Sequence, residues 1–164
     1  MKTAIHSEIR IRVSWKSFPA VAFLIVGLSL HAVASLGGTV DSVEADQSQM
    51  KANIRITEAQ AYTVHEMKGP TGTVVREYVS TSGRVFGITW QGPFIPDMRQ
   101  LLGAYFEQYS RAARAQRDSH VGRWPLNIQD PGLVVQTAGH MRSYSGRAYD
   151  PALLPPEVRA NDIR

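Results

Sequence analysis

The chain has 164 residues, of which 43% are hydrophobic and 20% are charged. This balance is typical of one soluble globular domain, and the length excludes two large ones. Because the chain contains no cysteine, it has no structural disulfide, no thiolate nucleophile and no cysteine for lipid attachment.

The first 34 residues have the order of a secretory signal peptide. A basic region that ends at Lys16 is followed by the stretch from Phe18 to Ala34, which is apolar apart from two residues. The small residues of the sequence "AVA" at 32–34 indicate cleavage after Ala34. The alternative is an uncleaved membrane anchor, because about 17 apolar residues are at the lower limit of a spanning helix. We therefore expect a periplasmic or secreted bacterial protein, which contacts a membrane only through the leader if it is kept.

Most of the net charge of +4 belongs to this leader. Residues 35–164 contain 14 Lys and Arg against 13 Asp and Glu, which leaves a net charge of +1. A nearly neutral chain is only weakly attracted to a phosphate backbone, so no nucleic-acid partner is expected.

A short helix and a set of strands are the next elements along the chain. Thr39 or Asp41 can cap a helix that runs to about Ala52. From Ile54 onward, segments rich in β-branched and aromatic residues alternate with turns at 69–72 and 81–83, which predicts an antiparallel meander. Three large apolar residues of its last strand are expected on one face: Phe86, Ile88 and Trp90.

A longer helix follows the meander. Apolar residues recur at helical spacing from Met98 to about Gln116, and Asp97 suits the start of the helix. Gly103 lies in the interior, where glycine costs about 1 kcal/mol relative to alanine. We therefore expect Gly103 where the helix backbone packs closely on the sheet.

The C-terminal third predicts further strands. A short strand is expected near Leu126 to Ile128, and an apolar strand at Leu133 to Thr137. After a turn at Ala138 and Gly139, a returning strand is expected from His140 to about Ala148.

Residues 35–158 are thus predicted to form a single α+β domain. Its antiparallel sheet, a meander plus a C-terminal hairpin, is packed by one long and one short helix. Prolines end the regular structure, and residues 159–164 are expected to be a frayed C-terminal tail.

The stretch "GHMRSYSGRAYDP" concentrates polar and aromatic side chains. In a strand that starts at His140, the side chains of His140, Arg142 and Tyr144 line one face, while Arg147 and Tyr149 take the other unless a bulge intervenes. The row is either the solvent face of an edge strand, which we favour, or one wall of a shallow recognition groove. We take all five residues as candidate ligand or partner contacts.

No catalytic residue, metal ligand or cofactor follows from the remaining motifs. The histidines at 65, 120 and 140 are not at metal-ligand spacing, and no G-x-S-x-G turn is present. Imidazole and thioether groups suit copper, and His65 and Met67 share a strand face, whereas His140 and Met141 do not. Both methionines are expected in the core.

A basic run occurs near the end of the long helix: Arg111, Arg114, Arg117 and Arg123. Basic residues at this end of a helix are favourable for its dipole, so a solvated face is expected. An anionic ligand would become credible if this run met Arg142 or Arg147 in space.

Three segments, "AVASLGGTVDSVEAD", "FIPDMRQLLGAYFEQY" and "LVVQTAGHMRSYSGRAYDPALLPPEV", carry a family resemblance over Ser35 to about Val158. The chain resembles a family of short exported proteobacterial proteins that is known only as a domain of unknown function. The resemblance implies export and a bacterial source, and it supplies no activity, cofactor or catalytic residue.

Our leading hypothesis is a periplasmic or secreted binding or accessory module for an unknown envelope protein or ligand, with the segment from His140 to Tyr149 as its contact surface. The alternative is an enzyme that uses His120, His140 and Arg142 on an anionic envelope substrate, and it requires these residues to converge in a pocket. Copper binding through histidine and methionine is a minor alternative.

Overall fold

The computed structural model describes residues 36–119 and 125–164. The expected signal peptide, His120 and Arg123 lie outside these ranges. In the described part of the chain, no helix is both long and apolar enough to cross a bilayer.

The fold is α+β, as predicted. Helix α1 (Val40–Met50) precedes four strands, β1 (Asn53–Glu58), β2 (Tyr62–Lys68), β3 (Val74–Ser80) and β4 (Val85–Gly92). Helices α2 (Met98–Leu102) and α3 (Phe106–Ser119) follow, and then strands β5 (Asn127–Asp130), β6 (Leu133–His140) and β7 (Ser143–Tyr149). The predicted meander, long helix and C-terminal hairpin are therefore confirmed.

All seven strands form one antiparallel sheet in the order β1-β2-β3-β4-β7-β6-β5. Strand β7 pairs with β4 on one side and with β6 on the other. The expectation of an edge strand from His140 to Ala148 is wrong, because β7 lies in the interior of the sheet.

The three helices pack on one side of the sheet, which we call the helix face. The core on this face joins residues of α1, α2 and α3, such as Val43, Leu102 and Ala113, to buried strand residues such as Ile88 and Val135. We call the opposite side the outer face. Its apolar part is smaller and includes Tyr78, Phe86, Val158 and Ile163.

A β-bulge in β4 divides residues that the sequence places on one face. The register pairs Tyr78 with Gly87 and then Val79 with Val85, so Phe86 is an extra residue. Such an extra residue reverses the alternation of side chains along a strand. Phe86 therefore packs on the outer face, whereas Ile88 and Trp90 remain in the helix-face core.

The long helix is interrupted at Gly103. A 3₁₀ turn at Gly103–Tyr105 separates α2 from α3, and Gly103 has φ 47° and ψ −116°. A residue with a Cβ rarely adopts this conformation. Gly103 was expected to allow close packing against the sheet. Its role in the structure is instead to adopt a backbone conformation that other residues rarely adopt.

The last residues of the chain pack on the outer face. Ile163 is fully buried, and a Cβ built on Gly87 would lie only 3.0 Å from the Ile163 Cδ1 atom. The backbone N–H of Arg164 donates to the Tyr78 hydroxyl at 3.0 Å, and this hydroxyl donates in turn to the Arg164 carbonyl oxygen. The expectation of a frayed tail is wrong, because this segment packs on the outer face and its Ile163 is buried in the apolar cluster there.

Candidate functional site

A row of polar side chains crosses the outer face from one edge of the sheet to the other. Each residue is the direct cross-strand partner of the next. Side chains of directly paired residues lie on the same face with Cβ atoms about 4.5–5.5 Å apart. In spatial order, the row consists of Arg55, Glu66, Arg76, Thr89, Arg147, Gln136 and Asn127.

Charged and hydrogen-bonded pairs occupy both ends of this row. The Glu66 carboxylate contacts Arg55 at 3.2 Å and Arg76 at 2.7 Å. On the other side, the Arg147 Nε–H donates to Gln136 Oε1 at 2.8 Å. These contacts orient Arg76 and Arg147 on either side of the strand that separates them, β4.

Thr89 lies between the two arginines and differs from the rest of the row. It is 5% exposed, and its hydroxyl has no hydrogen-bond partner in the described part of the chain. A buried hydroxyl without a partner costs about 1–3 kcal/mol. The centre of the row therefore holds a donor that a ligand could satisfy.

A groove of about 420 Å³ opens at this point of the outer face. Its strand residues include Arg76, Thr89, Ser145 and Arg147, and the C-terminal segment provides a side wall through Ile163 and Arg164. The short side chains of Ser145 and Ala138 lie on the outer face next to Arg147 and Gln136, so this part of the groove is lower than the arginine beside it. We call this feature the outer groove.

Arg147 has two roles in this arrangement. Its Nη1 donates to the carbonyl oxygens of Ala160 at 2.7 Å and Ile163 at 3.4 Å, which holds the C-terminal segment against the sheet. Its guanidinium carbon also lies 5.9 Å from the centroid of the Tyr149 ring. Because the acceptors are neutral, the positive charge of Arg147 is not cancelled by a carboxylate among the described residues.

The outer-face residues of the strands carry a positive excess. Strand alternation places Arg55, Lys68, Arg76 and Arg147 on this face together with one acidic residue, Glu66. This local excess is larger than the net charge of +1 over residues 35–164 suggests. The outer groove is therefore suited to a negatively charged or strongly polar group.

The comparison with known protein families matches residues 32–163 to the family described as "Protein of unknown function (DUF2844)". The chain belongs to the DUF2844 family. No curated protein and no solved structure matches the chain. The predicted membership of a family of unknown function is confirmed, whereas the proteobacterial source and the export of this DUF2844 protein stay predictions.

The five contact residues predicted for this DUF2844 chain are divided between the two faces. Strand β6 continues to His140, which pairs with Ser143 across a turn that contains Arg142. Arg142 has φ 61°, so it is part of the turn and not of a strand. Strand alternation places His140, Arg147 and Tyr149 on the outer face and Tyr144 on the helix face. The predicted row of His140, Arg142 and Tyr144 is therefore wrong, and the role of all five residues as contacts stays a prediction.

Residues of the outer groove other than Arg147 were missed by sequence reasoning. Arg76 and Thr89 occupy alternate positions of predicted strands, as does Gln136. Polar residues at alternate positions of a strand ordinarily face solvent and have no special role. Only the cross-strand register brings these residues together, and this register cannot be read from a single sequence.

The other chemical hypotheses for this DUF2844 protein remain open. His65 and Met67 share the helix face and are buried there, whereas Met141 is 87% exposed at the hairpin tip, so its expected core position is wrong. No group of three or more His, Asp or Glu side chains positioned to hold a metal occurs within residues 36–119 and 125–164. His120 lies outside these ranges, so the site of His120, His140 and Arg142 stays a prediction.

The basic run of α3 does not meet Arg147. Arg111, Arg114 and Arg117 are exposed on α3, which packs on the helix face against β5 and β6, whereas Arg147 is on the outer face. An anionic site at the basic run would require the run to lie close to Arg142 or Arg147, and the α3 arginines do not lie close to Arg147.

A buried pair of carboxyl groups forms a second polar cluster, in the helix-face core. Glu77 of β3 is fully buried and Asp46 of α1 is 1% exposed, and the two groups are within hydrogen-bonding reach of each other. Gln100 Nε2 donates to Asp46 Oδ1 at 2.6 Å. Burial raises the pKa of Asp46 to about 6, and burial together with the nearby Asp46 raises the pKa of Glu77 well above its ordinary value.

Proposed function

We propose that this DUF2844 protein is an exported bacterial binding or accessory module whose contact surface is the outer groove. The observation that carries this proposal is the arrangement of Arg76, Thr89 and Arg147 on three adjacent strands of one face. Strands hold their side chains more precisely than loops, so the groove is a preorganised surface for a partner.

Unused hydrogen-bonding capacity supports a binding role. Arg76 uses Nε for Glu66 and Arg147 uses Nε and Nη1 for protein acceptors. The remaining terminal nitrogens of both arginines have no acceptor among the residues that the structure describes. Together with the hydroxyl of Thr89, they supply several donors at one groove.

Two other cavities have fewer convergent donors. One, of about 300 Å³, is lined mainly by apolar residues such as Phe94 and Leu101, and its charged residue Asp97 caps α2. The other, of about 570 Å³, lies between Tyr62 and the C-terminal segment and has Glu157 as its charged residue. The outer groove is therefore the best supported contact surface of the three.

Export is part of the proposal and rests on the first 34 residues. Their basic and then apolar order, with "AVA" at 32–34, is that of a cleaved secretory leader. Fractionation of the source cells, with intact-mass measurement of the protein, tests this part. We expect a periplasmic or secreted form that begins at Ser35, and a full-length cytoplasmic form would contradict export.

Partner capture from the native envelope tests the contact surface. The full-length gene is expressed without a tag in its own bacterium, because Arg164 lines the outer groove. The protein is recovered with an antibody, and crosslinked partners are quantified by mass spectrometry. The test variant is Arg76→Gln, which removes one groove charge without touching the contacts of the C-terminal segment. The matched control is Arg114→Gln, which removes the same charge from exposed α3.

We expect Arg76→Gln to reduce capture of a specific partner about tenfold, because a hydrogen bond to a charged group contributes about 1.5–3 kcal/mol. Arg114→Gln should leave capture unchanged. Equal capture by the wild type and by both variants would refute the outer groove as the contact surface.

A further inference from the structure

The geometry points to a tetrahedral oxyanion, the phosphate or sulfate group of a larger ligand, as the group that the outer groove binds between Arg76 and Arg147 above Thr89. This inference rests on the proposed function and adds the chemical class of the ligand. Its basis is a buried hydroxyl without a hydrogen-bond partner that lies between two arginines on the adjacent strands.

The spacing of the two arginines suits one anion. Arg76 and Arg147 are both direct cross-strand partners of Thr89, so their Cα atoms are two strand spacings, about 10 Å, apart. Arg76 Nε and Arg147 Nε donate to Glu66 and Gln136, which lie on the sides away from Thr89. The terminal nitrogens that these bonds leave unused can present N–H donors to an oxyanion once the two side chains turn toward Thr89. Both arginines can therefore bind the same group from opposite sides.

Thr89 distinguishes an oxyanion site from a pair of surface arginines. Its hydroxyl is buried and lacks a partner, so the folded protein bears a cost that an acceptor oxygen would remove. A ligand oxygen reaches this hydroxyl when a flanking side chain shifts, and arginine side chains have the rotamer freedom to do so. A cationic donor could also bond to the hydroxyl oxygen, but Arg76 and Arg147 would repel it, so the two positive charges favour a ligand that supplies an acceptor oxygen.

The number of directions from which donors approach favours a tetrahedral group over a planar carboxylate. Arg76 and Arg147 flank the groove on two sides, and Thr89 lies between them. A phosphate or sulfate has oxygens for three such directions, whereas a carboxylate has two oxygens in one plane. The volume of about 420 Å³ leaves room for the molecule that carries the anion.

Acidic neighbours do not cancel this attraction. Glu66 is the acidic residue of the row, and it is already paired with both Arg55 and Arg76. In the C-terminal segment, the Asp162 carboxylate accepts a hydrogen bond from the backbone N–H of Arg159 at 2.8 Å. The charge of Arg147 therefore remains available to an anion in the groove.

Isothermal titration of the full-length protein in detergent with inorganic phosphate and with sulfate tests the inference, and acetate serves as the planar competitor. We expect saturable 1:1 binding of phosphate or sulfate that weakens with added sodium chloride. The variants Arg76→Gln and Thr89→Val should each weaken binding about tenfold or more, and Arg114→Gln should change it less than about twofold. Circular dichroism and thermal unfolding verify that each variant is folded.

Two results would overturn the inference: no saturable binding of phosphate or sulfate by the wild type, or unchanged affinity in both groove variants. Acetate binding as tight as phosphate binding would also contradict a tetrahedral site. If partner capture still depends on Arg76 in any of these cases, the proposed function stands with a different ligand. If neither anion binding nor partner capture depends on Arg76, the proposed function is refuted as well.

Discussion

The buried carboxyl of Glu77 should make the stability of the protein fall as the pH rises above neutrality. Neither oxygen of Glu77 accepts an N–H from the described residues, so a proton shared with Asp46 is what satisfies the pair. The neighbours from the other packed elements are Gln100, the capping residue Asp97 and His65, the cross-strand partner of Glu77. None of them supplies a positive charge at neutral pH, since burial lowers the pKa of His65.

The sign follows from the protons bound in the folded and unfolded states. Because the pKa of Glu77 is raised, the folded protein keeps a proton that the unfolded chain releases above pH 4.5. Stability then falls by about 1.4 kcal/mol per pH unit while Glu77 stays protonated. Asp46 contributes a similar fall only between its ordinary value of 3.8 and about 6. His65, with a lowered pKa, contributes a rise that ends at 6.5.

The range above about pH 7 therefore isolates Glu77, and the free energy of unfolding is expected to fall there for as long as Glu77 keeps its proton. Urea unfolding followed by tryptophan fluorescence measures this loss in the wild type, in Glu77→Gln and in Glu107→Gln. The last variant is the control, because Glu107 is exposed on α3.

We expect the decline in the wild type and in Glu107→Gln, and a flat free energy of unfolding in Glu77→Gln. The absolute stability of Glu77→Gln does not affect this comparison, since only the change of the free energy of unfolding with pH is compared. Parallel slopes in all three proteins would show that Glu77 is already ionised at neutral pH, and the reasoning would be refuted.

Three further substitutions test the packing. Ile163→Ala should lower the free energy of unfolding by about 2–5 kcal/mol, measured in urea, because Ile163 is fully buried; a change near zero would show that the C-terminal segment is not part of the core. Gly146→Ala should lower the melting temperature, since the added Cβ would lie 2.3 Å from the Trp90 Cζ2 atom, and an unchanged melting temperature would contradict this contact. Met141→Ser should change the free energy of unfolding by less than about 0.5 kcal/mol, whereas a large loss would place Met141 in a core.

The elements themselves could be predicted from local patterns. The 3.6-residue period of Met98 to Gln116 and the alternating strands between turns each reflect burial of one face. These patterns yielded the antiparallel sheet and its helices. They could not reveal the interruption at Gly103, because the positive φ of a glycine leaves no trace in the apolar period.

Two predictions, the position of the hairpin turn and the frayed C-terminal tail, are wrong because both depend on contacts between segments that are distant in the sequence. The hairpin turn lies at Met141 and Arg142 instead of Ala138 and Gly139, and such a shift changes which side chains share a face. The burial of Ile163 depends on the outer-face surface that it covers, and its own segment contains no periodic signal.

The candidate site was predictable only in part. Arg147 was chosen from sequence for the density of polar residues around it. Its partners in the outer groove are 58 or more positions away for Thr89 and Arg76, and the order β4-β7 that joins them is a property of the whole sheet. A single sequence contains no information on this pairing.

Site-specific crosslinking tests the central claim, that the outer groove is the contact surface, most directly. A photoreactive residue is placed at Ser145, on the groove floor, or at Ala115, exposed on α3, and the source cells are irradiated. The account predicts a discrete crosslinked product from position 145 that Arg76→Gln reduces about tenfold, and no matching product from position 115. The same products from both positions, or a product from position 145 with an undiminished yield in Arg76→Gln, would contradict it.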